Sequence, residues 1–303
     1  MEEFSRSDLA CESLAGRSPA GLGDRCREEL AGECRIERLD ISDEEGARLL
    51  GKPRGMYVTL HCRPLWKLDG EARERTVALL ARELRRMCLP QGEISEQFGV
   101  LVAGLGNAEI TADAIGPKTV HRLTVTRHLR EHDRRIFQLL GRCQLSAIAP
   151  GVLGQTGMEA ADLIRGAVAA VQPHVVLAID ALAARSTERL ASTVQLSDTG
   201  ISPGSGIGNR RAAIDRESVG ARVIALGVPT VVDSATLVYD ALRQAGIGEI
   251  SGALREVLEN NRRFFVSPKE SDYITAQTAA LLCDAIEQAF SLEEGAYSAS
   301  RRA

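Results

Sequence analysis

The sequence predicts an α/β fold, a mainly parallel sheet flanked by helices, preceded by a flexible N-terminal arm. Three observations lead there. Residues 100–103, 174–179 and 222–226 are short runs dominated by Val, Leu, Ile and Ala, the pattern of strands covered on both faces. Stretches of helical periodicity lie between these runs, an alternation that implies parallel strands joined by right-handed crossovers. Each run gives way to Gly or a polar residue, and ligands of open α/β sheets collect beyond the carboxyl ends of such strands.

Taken in order, residues 1–33 are rich in Gly, Ser, Arg and Glu without a sustained apolar period, and read as a mobile arm. Residues 35–41 and 57–62 read as strands. Between them, residues 43–50 fit a short helix with Ser42 as its N-cap and Gly51 just past its end. Residues 69–88 form a strong helix candidate, because Val77, Leu80, Ala81, Leu84 and Cys88 share one face. Further helices are expected at about 118–129, 158–171, 182–190, 235–244 and 269–290. With no internal repeat, residues 34–295 are expected to form a single domain, followed by a tail over 296–303.

The bulk composition excludes several classes. The chain has 303 residues, 44% hydrophobic and 26% charged, as soluble globular proteins do. Aromatic residues are only 4%, so the core rests on Ala, Leu, Val and Ile. A net charge of -4 gives no reason to expect a nucleic-acid partner. No run approaches the ~18 apolar residues of a membrane span. The seven cysteines contain no Cys-x-x-Cys pair, which argues against a disulfide framework or a zinc ribbon and for a cytoplasmic protein with reduced thiols.

The chemistry is expected where strands end. Gly104-Leu105-Gly106-Asn107 leads through Asp113 to Gly116-Pro117, and Ile179 leads into Asp180. If the two strands are neighbours, Asp113 and Asp180 approach across the sheet top. Two close carboxyls do not both ionise easily; one keeps its proton while the other acts as a base. Such a pair activates a water against an amide carbonyl and protonates the leaving nitrogen. The competing reading makes both residues helix N-caps. The glycines at 104–106 and 204–208 lack the complete dinucleotide and P-loop patterns, so they serve equally as anion cradle, turn or flap. His-Glu-x-x-His does not occur, and the five histidines suggest no ligand cluster.

Several long segments resemble one family. The stretches 104–117, 149–159 (Ala-Pro-Gly-Val-Leu-Gly-Gln-Thr-Gly-Met-Glu), 179–186 and 195–210 resemble, in order, the signatures of the spore germination proteases, peptidase family A25. Residues 227–233 and 264–270 extend the likeness. The resemblance implies a phosphorylase/hydrolase-like α/β fold shared with hydrogenase maturation peptidases, and it assigns catalysis to Asp113 and Asp180. Asn107, Arg185, Ser205, Gly206 and Asn209 would bind substrate or support the site. It further implies an endopeptidase that starts degradation of small acid-soluble spore proteins at germination, a homotetramer, and a spore-core location. Members are made as zymogens that clip themselves, and their cuts fall where an acidic residue precedes a hydrophobic residue and Ala. Ser7-Asp8-Leu9-Ala10 then places a processing site between Asp8 and Leu9, making residues 1–8 the propeptide and 9–33 the rest of the arm. No membrane and no direct nucleic-acid contact are implied. With no compact ligand set for a metal, water and the carboxyl pair are favoured, without a cofactor. Two rival readings stay open: a metal-dependent maturation peptidase of the hydrogenase-processing type, and a non-catalytic nucleotide or anion binder.

Overall fold

A computed structural model describes residues 7–14, 25–89, 94–204, 212–247, 250–260 and 264–292. Its centre is one sheet of nine strands among these residues: β1 (Cys26–Ala31), β2 (Cys34–Ile41), β3 (Gly55–His61), β4 (Gly99–Leu105), β5 (Gln144–Gly151), β6 (Val175–Ala184), β7 (Thr193–Ser197), β8 (Val223–Asp233) and β9 (Phe265–Val266). The order is β1-β2-β3-β7-β8-β6-β4-β5, with β9 paired to β8. Only the half β8-β6-β4-β5 is parallel. The other half, β1-β2-β3-β7, joins it antiparallel, so the sheet is mixed and not mainly parallel. Three buried runs revealed β4, β6 and β8 of the parallel half, but not β5, most of whose residues are only half-buried. The antiparallel half is joined through a hairpin and a short strand whose alternation is weak in sequence.

Helices cover both faces. On one lie α1 (Glu44–Leu50), α7 (Ala160–Val171) and the single turn α8 (Arg216–Val219); on the other lie α2 (Gly70–Cys88), α3 (Ile115–Val120) and α11 (Ser271–Ala289). Shorter pieces connect them: α4 (Arg127–His132), α5 (Arg134–Leu140), α6 (Leu153–Thr156), α9 (Ser234–Gln244) and α10 (Gly252–Asn260). Successive strand residues serve opposite layers. In β6, Val175, Leu177 and Ile179 join the α2/α11 core, whereas Val176 and Ala178 join the α7 core. Asp180 continues the second set and therefore points to the α7 side.

Several local expectations change. The helix expected at 182–190 is absent: Leu182 to Ala184 prolong β6 along Pro229 to Val232, where the ladder overrides the helical preference of Ala and Leu, and Thr187–Arg189 form only a single 3-10 turn. Asp180 consequently lies within a strand, and the N-cap reading fails for it. Asp113 is not a side-chain cap either, since α3 starts from Ala114. The helix expected at 118–129 ends at Val120, because Thr126 is held by β5, its N–H to Leu145 O at 2.9 Å and its hydroxyl to Cys143 O at 2.5 Å. The N-cap of α1 is Asp43, whose Oδ1 accepts from Gly46 N at 2.7 Å, and not Ser42; Gly51 closes the helix at φ 64° as expected. The described parts of the presumed arm are docked: residues 26–31 form β1, and Leu9 and Ala10 are fully buried. Residues 1–6, Ser205, Gly206, Asn209 and the 296–303 tail lie outside the described residues.

Candidate active site

β4 and β6 are direct parallel neighbours, pairing Gly104 with Ile179, so their carboxyl ends open on the same edge. After β4 the chain turns through Gly106, at φ 109°, where a Cβ would lie 2.0 Å from Asp113 O. This contact folds the 107–113 loop back over the strand end. Asn107 N–H donates to Asp113 Oδ2 at 2.6 Å, and Asn107 Oδ1 accepts from Gln155 Nε2 at 2.8 Å and Glu109 N at 2.9 Å. Next, Gly116 in α3 packs against the backbone of β4 and β6 at once. Two tight glycine contacts thus place the Asp113 turn above Asp180.

Asp113 and Asp180 line one cavity of about 420 Å³, walled by Asn107, Val152, Leu182 and Phe265 among others. Asp180 is buried, 4% exposed. Burial pushes its carboxyl well above the usual range, the charge of Asp113 pushes further, and Asp8 adds to both. The Ala181 N–H, which donates to Asp180 Oδ1 at 2.9 Å, opposes them. Asp180 is therefore held towards its protonated form. It can act as an acid, leaving the partner carboxyl to accept a proton from water.

Asp180 also lines a second cavity of about 410 Å³ with Lys52, Tyr57, Gln195 and Ser197. Asp8 borders both cavities. The segment Ser7–Leu14 lies across this cleft: Asp8 N–H donates to Ala183 O at 2.9 Å, and Asp8 Oδ2 accepts from Ala183 N at 2.9 Å. Leu9 packs among Leu182, Ala184 and Val232. Beyond it, Glu12 accepts from the N–H groups of Arg185 and Ser186 and pairs with Arg189 Nε at 3.0 Å.

Of the residues expected to support the site, Asn107 lines the cleft, whereas Arg185 lines neither cavity and pairs with Asp240 through Nε at 3.0 Å. Ser205, Gly206 and Asn209 lie outside the described residues. Sequence reasoning did not single out Lys52 or Gln195. The alternation of Thr193-Val194-Gln195-Leu196-Ser197, polar on one face, was the available signal for Gln195. Lys52 follows a helix-closing glycine and carries no such signal. Among the described residues, Cys283, Asp284 and Glu287 converge within 4.8 Å of one another, but none of them lines either cavity. Asp284 pairs with Arg73 at 2.6 Å and Glu287 with Arg142 at 3.0 Å. No described helix is long and apolar enough to cross a membrane.

An α/β sheet carrying two carboxyls in one cleft, one of them held towards its acid form, is the framework of a hydrolytic enzyme. The chain belongs to the germination protease family, whose model matches residues 20–262. It is 38% identical to the germination protease of Caldanaerobacter subterraneus subsp. tengcongensis, across 94% of this chain and 93% of that one. It is 40% identical to the germination protease of Clostridium perfringens, across 84% and 83%, and 44% identical to that of Bacillus subtilis, across 70% and 56%.

Proposed function

We propose that this endopeptidase is made as a zymogen that cuts its own Asp8–Leu9 bond and then initiates degradation of small acid-soluble spore proteins in the germinating spore. Asp113 is the general base for the attacking water and Asp180 the general acid for the leaving nitrogen. The observation that carries this reading is that Asp8 borders the same cavity as Asp113 and Asp180, with its backbone fastened to β6. Residues 1–8 form the propeptide, and the domain from residue 34 onward supplies the site. Asn107 supports the site by holding Asp113. The working form is a homotetramer, by likeness to the family.

The test uses a peptide carrying Glu or Asp followed by Leu-Ala, and separately an intact small acid-soluble spore protein, with products mapped by mass. The expected outcome is a single type of cut, after the acidic residue, at a kcat/KM unchanged by a chelator of divalent ions. Cleavage elsewhere would overturn the specificity. Loss of cleavage in chelator, restored by added metal, would move the chain to the metal-dependent class.

A further inference from the structure

The carbonyl of the Asp8–Leu9 bond is held by side chains from two separate elements. Its oxygen accepts from Lys52 Nζ at 2.9 Å and from Gln195 Nε2 at 3.3 Å. Lys52 also donates to Ser7 O at 3.2 Å. The Gln195 amide is oriented by its other end, where Oε1 accepts from Ala10 N at 2.6 Å, so its NH₂ group faces Asp8. With the Asp8 carboxylate on Ala183 N and Leu9 sunk among Leu182, Ala184 and Val232, both sides of the bond are fixed.

The sheet register explains why these groups meet Asp180. Asp180 on β6 and Gln195 on β7 both pair with Gly227 on β8, so the three form one row across the sheet. Residues in register on adjacent strands share a face. Gly227 puts no side chain between the other two, and the Leu182 side chain packs over it, its Cδ1 2.3 Å from where a Cβ would lie. Asp8, Lys52, Asp180 and Gln195 line one cavity together.

We propose that Lys52 and Gln195 are the oxyanion-stabilising residues of the cleavage reaction, acting on the carbonyl oxygen of the residue before the cut, in the Asp8–Leu9 bond and in peptides that replace it. The proposal rests on the self-cleavage reading above. In the step, the water oxygen bonds to the Asp8 carbonyl carbon and a water proton passes to Asp113. The π pair of the carbonyl moves onto its oxygen, between the ammonium of Lys52 and the amide of Gln195. Collapse restores the carbonyl, breaks its bond to Leu9 N, and transfers the Asp180 proton to that nitrogen. Proton exchange with solvent then resets the two carboxyls. An ammonium already aimed at this oxygen gains more from the full negative charge of the intermediate than from the neutral carbonyl, which is the condition for catalysis. Burial pulls the Lys52 pKa below the ordinary lysine value, an effect opposed first by the Asp8 carboxylate.

The experiment follows loss of residues 1–8 by intact mass in the full chain for wild type, Lys52→Met, Lys52→Arg and Gln195→Leu. Thermal unfolding and hydrogen exchange of the Asp8 and Ala10 amides are recorded alongside. Lys52→Met and Gln195→Leu are expected to lower the first-order cleavage constant by about 10²–10³-fold each. The Asp8 amide, bonded to Ala183 O and not to either side chain, stays protected, and Lys52→Arg recovers part of the rate. Cleavage at the wild-type rate in both variants overturns the proposal, as does a rate that falls only in proportion to lost Asp8 protection. If Gln195→Leu fails to fold, the half-buried Lys52 carries the test alone. If wild type leaves Asp8–Leu9 intact, the self-cleavage reading fails by itself. The variants are then assayed on the Asp-Leu-Ala peptide, where a lowered kcat at similar KM upholds the oxyanion role and an unchanged kcat overturns it.

Discussion

Asp180→Asn is expected to reduce peptide cleavage by about 10²–10⁴-fold, the usual scale for a positioned acid or base, while making the folded protein more stable at neutral pH. The two effects have one cause. Asp180 is buried beside Asp113, so folding raises its pKa above the unfolded value of about 3.9. The folded state then binds more protons than the unfolded state wherever pH exceeds that value and lies below the folded pKa. Stability contributed by this group is complete below the unfolded pKa and is lost as pH rises through the folded one. Asn keeps the shape and the acceptor for Ala181 N but has no proton to lose. The difference in unfolding free energy, wild type minus variant, should therefore fall with rising pH above about 4 and level off once Asp180 ionises. Urea unfolding from pH 4 to 8 reads the slope. A flat difference would mean that Asp180 ionises normally in the fold, and the assignment of the acid would be lost.

Gly116→Ala carries the second large effect. A Cβ there would lie 2.4 Å from Leu105 O and 2.6 Å from Ile179 O, both rigid backbone in β4 and β6. Neither strand can yield without disturbing its parallel ladder, so the cost belongs at the upper end of overpacking, about 3 kcal/mol. Moving α3 away also lifts the Asp113 turn from Asp180, so cleavage should fall more than the folded fraction does. Gly166→Ala, inside α7 with nothing within 4 Å of the added carbon, is the control and should be neutral or stabilising by up to about 1 kcal/mol. Denaturant midpoints and cleavage rates of the two variants test this directly. Equal behaviour would show that the close approach of α3 does not hold the site.

Three strands of the parallel half were legible because a strand buried on both faces writes a continuous apolar run, as in Val175 to Ile179; half-buried β5 writes none. The antiparallel half was harder to read. β1, Cys-Arg-Glu-Glu-Leu-Ala, has mostly exposed residues on both faces and is specified by pairing with β2 more than by its own pattern. Leu182 to Ala184 read as helix because Ala and Leu favour it, while the pairing that makes them strand comes from Pro229 to Val232, far along the chain. Asp113 and Asp180 were legible as polar residues after buried runs. Lys52 and Gln195 were not, since only register across β6, β8 and β7 and the docking of Asp8 bring them to one bond. The N-terminal segment was misjudged for the same reason. Asp8, Ala10 and Glu12 look unstructured alone, and their partners Ala183, Gln195 and Arg185 all lie more than 170 residues away.

The central claim, that the two aspartates cut this chain's own Asp8–Leu9 bond, is tested most directly by intact mass over time. Purified wild type, Asp113→Asn and Asp180→Asn are incubated in parallel under mildly acidic, dehydrating conditions. The account predicts that wild type alone loses residues 1–8. Clipping of all three at the same rate would contradict it, because neither carboxyl would then be needed for the cut.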